Sequence, residues 1–315
     1  MPTAWTSRPS ASRPSRDAPP LQPARVESVP GKLFVGTSGF AYKEWKPEFY
    51  PADIKPADML SFYSRRFNSV EINNTFYRMP TEKVLAQWAE QTPEDFSFTL
   101  KAPQRITHFA RLKNTDENLD FFLRTARALD PGLGCILFQC PPTLHYDMDL
   151  LDAFLALLPG QPFRFAMEFR HDSWEAAKGQ LADNNVAWCV ADTDEKKAPL
   201  VQTSESFVYL RLRGLNYSEE DIQAWAGETR GVLDNGADAY VYFKHEDDPS
   251  GVRYGLRFRD LVETESAEAM SPTDTISPAG DDTRPDDASR QPPSSSSEPS
   301  SPASPSVPPT PSEPR

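Results

Sequence analysis

The chain has 315 residues and a formal net charge of −13, and its 32 prolines are uneven, with seven in residues 1–30 and twelve in 264–315. Tracts so rich in Pro and Ser and so poor in apolar residues cannot offset the entropy of ordering, which excludes two folded domains. One globular unit is expected at 31–263, between disordered tails at 1–30 and 264–315, and it carries −9 once the +2 and −6 of the ends are set aside.

The first strand-like run is Leu33-Phe34-Val35-Gly36-Thr37, followed by a helical pattern at 56–67. Val70-Glu71-Ile72-Asn73 comes next, then a helix in which Val84, Leu85 and Trp88 recur at helical spacing. The third run, Phe96 to Lys101, leads into a long helix that Asn114 or Thr115 can cap and that Pro131 and Gly132 end. Cys135 to Gln139 stops at Pro141-Pro142, and a helix at 147–158 closes on Pro159-Gly160. Arg164 to Phe169 precedes a helix starting near Ser173 or Trp174, and Ala187 to Ala191 follows. Between this run and the seventh, Phe207 to Leu212, no helix is evident. A helix at 218–234 then leads to Ala239 to Lys244, and a last helix near 252–263 closes the unit.

Eight strand-like runs alternating with helices predict an α/β fold, a single (β/α)8 barrel of TIM type. An open doubly wound sheet is the alternative. It is disfavoured because Gly36-Thr37-Ser38-Gly39 lacks the GxGxxG spacing that cradles a dinucleotide, and it is no nucleophile elbow either.

In such a barrel the reacting groups belong at the C-terminal strand ends. Those ends supply Ser38, Glu71, Asn73, Lys101, Gln139, Glu168, Arg170, Asp192, Arg211, Arg213, Lys244 and Glu246. Strand alternation puts Glu71 with Asn73, Glu168 with Arg170 and Arg211 with Arg213, each pair opposite apolar residues. A charge inside a strand buried on both faces is costly unless it is paired or functional. Glu71, Glu168 and Arg170 are therefore the expected catalytic residues, a glutamate acting as general base or metal ligand. Arg170, Lys101 and Arg211 would stabilise developing negative charge. Ser38, Asn73 and Gln139 join Lys101 and Arg211 as substrate-binding candidates.

His108, His171 and His245 follow charged strands and, with nearby carboxylates, suggest a divalent metal as cofactor, His108 and Asp192 being its first candidates. Aromatic residues crowd two loops: Phe40, Tyr42, Trp45, Phe49 and Tyr50, then Phe76 and Tyr77. Either they pack across the barrel end or Tyr42, Trp45 and Tyr77 form a stacking wall for a ring. Cys135, Cys140 and Cys189 sit in apolar runs and read as small buried hydrophobes. The acidic body disfavours nucleic acid, so the expected partner is a small anionic or phosphorylated ligand. No stretch of 18 apolar residues and no apolar leader occurs, which makes a cytoplasmic protein without membrane contact the expectation. The Arg- and Ser-rich start resembles a transit peptide, but its prolines would break the helix such a peptide needs.

Several segments resemble one family. GTSGFAYKEWKPEFYP at 36–51, FNSVEINNTFYRMP at 67–80, KAPQRITH at 101–108, LFQCPP at 137–142 and EFRHDSW at 168–174 match in order the YecE-like family, the domain of unknown function number seventy-two. The resemblance covers about residues 32–262 and implies a TIM-type barrel whose fold relatives include metal-dependent endonucleases and sugar isomerases, a link of fold alone. Two departures stand out: Arg213-Gly214 in place of His-Gly, and Phe243-Lys244-His245 in place of Phe-Asn-Asn. The expectation is a hydrolase or lyase acting on a phosphorylated or nucleic-acid-derived substrate. The alternative is a non-catalytic binder of an anionic ligand or single-stranded nucleic acid.

Overall fold

The computed structural model describes residues 29–269, apart from Lys196, His245 and Glu246. Both tails up to 28 and from 270 lie outside the described residues, as do the expectations placed on His245 and Glu246.

Eight parallel strands form one sheet: β1 (Leu33–Thr37), β2 (Ser69–Ile72), β3 (Ser97–Lys101), β4 (Leu133–Gln139), β5 (Arg164–Glu168), β6 (Ala187–Asp192), β7 (Phe207–Leu212) and β8 (Asp238–Phe243). From β2 to β8 each strand pairs with its neighbour in sequence, and β8 pairs back onto β1, which is the order of a (β/α)8 barrel. The ring closes differently between β1 and β2. There a single bridge joins Ser38 to Glu71, with the Gly39 N–H donating to the Glu71 carbonyl at 2.8 Å. Below it, side chains stand in for the ladder. The Val35 N–H donates to Asn68 Oδ1 at 2.9 Å and Asn68 Nδ2 donates to the Leu33 carbonyl at 2.7 Å. The Thr37 N–H donates to the Tyr63 hydroxyl at 2.8 Å, which itself donates to the Ser69 carbonyl at 3.1 Å. Gly36 is required here, because a Cβ would lie 1.9 Å from the Ser69 oxygen.

Among the described residues seven α-helices cover the strands: α1 (Met59–Tyr63), α2 (Glu82–Glu90), α3 (Asp116–Ala126), α4 (Met148–Leu155), α5 (Lys178–Asp183), α6 (Glu219–Asp234) and α7 (Ser250–Ala269). Local sequence starts several of them. Asp147 caps α4 by accepting from the Leu150 N–H at 3.0 Å, and Ser218 and Asp221 form a reciprocal capping box on α6. Ile222, Trp225, Ala226, Thr229 and Leu233 then bury one stripe of α6. The helical pattern at 56–67 shrinks to a 3-10 turn and the short α1, because the chain must turn after Tyr63 to deliver Asn68 to the seam. No helix occurs among the described residues linking β6 and β7, as expected, and α7 continues beyond residue 263.

Alternation separates two apolar layers. Val35, Val70, Ile136, Met167, Val190, Leu210 and Val241 face the helices. Cys135, Leu137, Ala166, Cys189, Tyr209, Tyr240 and Tyr242 fill the barrel interior, with Phe34 packed against them. The three cysteines are free and buried. At the N-terminal end of the interior, Arg164 pairs with Asp238 at 2.7 Å and lies over Phe207 and Tyr240.

A buried ion-pair cluster at the C-terminal mouth

The charged strand residues stand one pleat above this interior layer. Glu71 follows Ser69, Lys101 follows Thr99, Gln139 follows Leu137, Glu168 follows Ala166 and Arg211 follows Tyr209, each two residues on and so on the same face. They converge on Arg211. Its guanidinium donates to Glu71 Oε1 at 2.8 Å and through the other terminal nitrogen to Glu168 Oε2, so one cation spans the barrel between two carboxylates. The Tyr209 hydroxyl donates to Glu71 Oε2 at 2.6 Å, and Asn73 Nδ2 donates to Oε1 at 3.1 Å. Glu168 Oε1 accepts from Arg170 Nε at 3.0 Å and from Gln139 Nε2 at 3.3 Å, with an Arg213 nitrogen 3.8 Å away. Glu71, Glu168 and Arg211 are all buried.

Burial works against the charged form of Glu168, but Arg211, Arg213 and Arg170 together outweigh it and hold the carboxyl at about 2. Burial likewise opposes ionisation of Glu71, and Arg211, Tyr209 and the adjacent Ser38 side chain bring it below the ordinary carboxylate range. A general base works best with a pKa near the working pH. Glu71 and Glu168 both accept from the Arg211 guanidinium and act as its counterions, and neither carboxyl is raised toward neutral pH. Arg170 stands with them at the mouth, as expected.

Lys101 is placed differently. It lies half-buried at the end of β3 with its ammonium 4.0 Å from the centroid of the Phe76 ring, and among the described residues no carboxylate pairs with it. Burial, and then the Arg211 charge, pulls its amine down to about 8, with Glu71 and Glu168 resisting. His108 packs edge-on against the same Phe76 ring at 4.8 Å, and its Nδ1 bonds with Thr107 Oγ1 at 2.9 Å. Burial, and then the nearby Lys101 and Arg170 charges, lower the His108 pKa. The loop carrying it contains a π-helical turn (Arg105–Phe109) and three non-glycine residues at positive φ: Arg111, Leu112 and Asn114. Such turns and such strain gather at functional sites.

Across the mouth a cleft of about 380 Å³ is lined by Glu168, Arg170, His171, Trp188, Lys197 and Arg213, among others. That volume is in the range of small-molecule sites. The Nε atoms of Arg211 and Arg213 are buried without an acceptor among the described residues.

The remaining expectations divide. Ser38, Asn73 and Gln139 join the cluster, though Ser38 and Gln139 are buried. Tyr77 is exposed at the rim, against Phe76. Trp45 is fully buried and stacks on Tyr50 rather than facing the mouth, and Tyr42 packs on Trp45 while its hydroxyl donates to the Ser38 carbonyl at 2.8 Å. The first aromatic loop is thus a packed cap, which corrects the stacking-wall reading for Tyr42 and Trp45. Asp192 is buried, accepting from the Tyr217 hydroxyl at 2.7 Å and the Ala198 N–H at 3.2 Å. His108 lies instead against Phe76, and among the described residues no group of three His, Cys, Asp or Glu side chains is placed to hold a metal. The described residues thus do not bring His108 and Asp192 together as ligands of one ion. Sequence reasoning named Phe76 only as one of the loop aromatics and missed Tyr209. Alternation down from Arg211 signals Tyr209, and no local pattern signals that Phe76 lies under Lys101.

A family model described as "Protein of unknown function DUF72" matches residues 34–279. The UPF0759 protein YecE of Escherichia coli K12 is 38% identical over 122 residues, covering 38% of this chain and 44% of that protein. The match thus spans under half the length of that curated relative. The UPF0759 protein YunF of Bacillus subtilis is 22% identical over 273 residues, covering 74% of this chain and 95% of its own. The crystal structure of a DUF72 family protein from Thermotoga maritima superposes with a TM-score of 0.66 at 26% identity, covering 74% of this chain and 99% of that one. One from Enterococcus faecalis superposes at 0.64 and 16% identity, covering 79% and 100%, a likeness of fold alone.

Proposed function

The chain belongs to the DUF72 family, whose description assigns no activity, and from the site itself we propose an enzyme that holds a small anionic substrate, phosphorylated or carboxylate-bearing, at the C-terminal mouth of the barrel. The charge balance there carries the reading. Among the described residues, Lys101, Arg170, Arg211 and Arg213 gather around Glu71 and Glu168 at the strand ends, and the cleft beside them adds Lys178 and Lys197 against Asp172, Glu175 and Glu195, inside a molecule that is strongly acidic overall. Arg211 is fixed and neutralised from both sides, so Arg170 and Arg213, which line the cleft, present the surplus positive charge. An oxyanion there would meet fixed guanidinium donors in a partly desolvated site, where such contacts are strongest. The same balance favours a compact anion over a duplex, whose other phosphates would face the acidic body.

Calorimetric titration with inorganic phosphate and with a simple phosphate monoester tests this. Binding that weakens at least tenfold in an Arg170→Ala, Arg213→Ala double variant, and that falls with added salt, is the expected result. Equal affinity in the double variant, or no binding of either probe at millimolar concentration, overturns it.

A further inference from the structure

The geometry points to Lys101 as a covalent nucleophile of this site, whose ε-amine forms an imine with a carbonyl group of the anionic substrate. This rests on the anion-binding reading above and deepens it to a class, carbonyl compounds bearing a phosphate or carboxylate.

Lysines inside folded proteins ordinarily snorkel to solvent or pair with an acid. Lys101 is held off both. Its backbone is pinned in β3 opposite Leu137 of β4, and its carbonyl accepts from Thr75 Oγ1 at 2.6 Å. Its stem rises from the interior face, and its head rests on Phe76. Two carboxylates are near enough to act on its charge, yet Arg211 engages both, so neither forms a salt bridge with the amine. An amine that is half-desolvated, unpaired and beside fixed cations is the arrangement that frees a lysine lone pair near neutral pH. The groups facing it are Glu71, Glu168, Arg211 and Arg170 from the other strands and strand ends, with His108 on the Phe76 ring.

The step balances within these groups. The ammonium gives its proton to a base, for which His108, on the same Phe76 ring and with no bond to Nε2 among the described residues, is the candidate. The nitrogen lone pair forms the C–N bond, and the carbonyl π electrons move to oxygen. Two protons, the one returned by the base and one from the nitrogen, convert that oxygen to departing water. Protonated amine plus carbonyl thus gives iminium plus water, with no change of oxidation state. Arg170 and Arg213 hold the anionic group meanwhile.

Reductive trapping provides the test. The full chain is treated at pH 8 with pyridoxal 5′-phosphate or with pyridoxal, reduced with borohydride, and mapped by peptide mass spectrometry. The phosphate-bearing aldehyde should label Lys101 at least tenfold faster than the exposed Lys43, and faster than pyridoxal does. Inorganic phosphate should suppress that labelling. The rate should rise with pH through about 8 rather than through the ordinary lysine range. Lys101→Arg should remove the adduct while keeping its thermal transition. If phosphate binds but Lys101 labels no faster than Lys43, the covalent role is overturned and the anion site stands. If phosphate neither binds nor protects, the anion reading falls, and this inference with it.

Discussion

At the scale of single residues the cluster separates groups that balance charge from the one that is spare. Glu168 is a counterion, so Glu168→Gln should destabilise the fold by about 3 kcal/mol in urea titration, because three arginines would lose a shared buried partner. Unchanged or raised stability would return Glu168 to the role of reacting group. The pH dependence has a definite sign. The folded carboxyl sits at about 2 against 4.5 when unperturbed, so its contribution is complete above pH 4.5 and is lost as pH falls toward 2. The gap between wild type and variant should close over that window. Lys101 has the opposite sign. Its folded amine titrates at about 8 against 10.5 when unperturbed, so between these values the unfolded chain holds the proton more tightly and stability rises with pH. Lys101→Met should therefore stabilise at pH 7, on the order of 1 kcal/mol after solvent screening, with the gain fading from pH 8 to 10.5. Stability gained by removing a side chain is expected where a fold carries a group for its chemistry. The convergence of Glu71, Glu168, Arg170 and Arg211 was legible from strand alternation. Their roles were not, because which acid Arg211 engages depends on how far the ring closes.

At the scale of elements the eight strands were legible because each is a short apolar run ended by Gly, Pro or a polar cluster, and a two-sided buried strand admits little else. The packed cap of Trp45, Tyr50 and Phe49 was not legible, since a buried ring and a ligand-stacking ring read alike until neighbours fix which side is wet. The seam between β1 and β2 was equally silent. Asn68 bonds to backbone 33 and 35 residues away, which no local pattern encodes. Replacing it with Ala leaves the Val35 N–H and Leu33 carbonyl without partners, and a loss of about 2 kcal/mol is expected in chemical denaturation. Gly36→Ala should cost more, since its Cβ meets backbone oxygen rather than a movable side chain.

At the scale of the whole molecule the two barrel ends divide the work. The N-terminal end is closed by Arg164 and Asp238, and the C-terminal end holds the surplus cations. Arg164→Ala should therefore lower the melting temperature and leave phosphate affinity unchanged, while Arg170→Ala should weaken phosphate at least fivefold and shift melting little. A matching pair of effects from both variants would refute that division. The seam also bears on what the molecule does in company. A barrel has no free edge, but one whose first and last-paired strands meet through an asparagine and a tyrosine has two edges blocked by side chains. Stripped of those side chains, β1 and β2 would offer unsatisfied amides and carbonyls to the strands of other copies, as any exposed sheet border does. Asn68 and Tyr63 thus guard against self-association as well as against unfolding, and their loss would register first as concentration-dependent aggregation under conditions where the isolated barrel still melts as one.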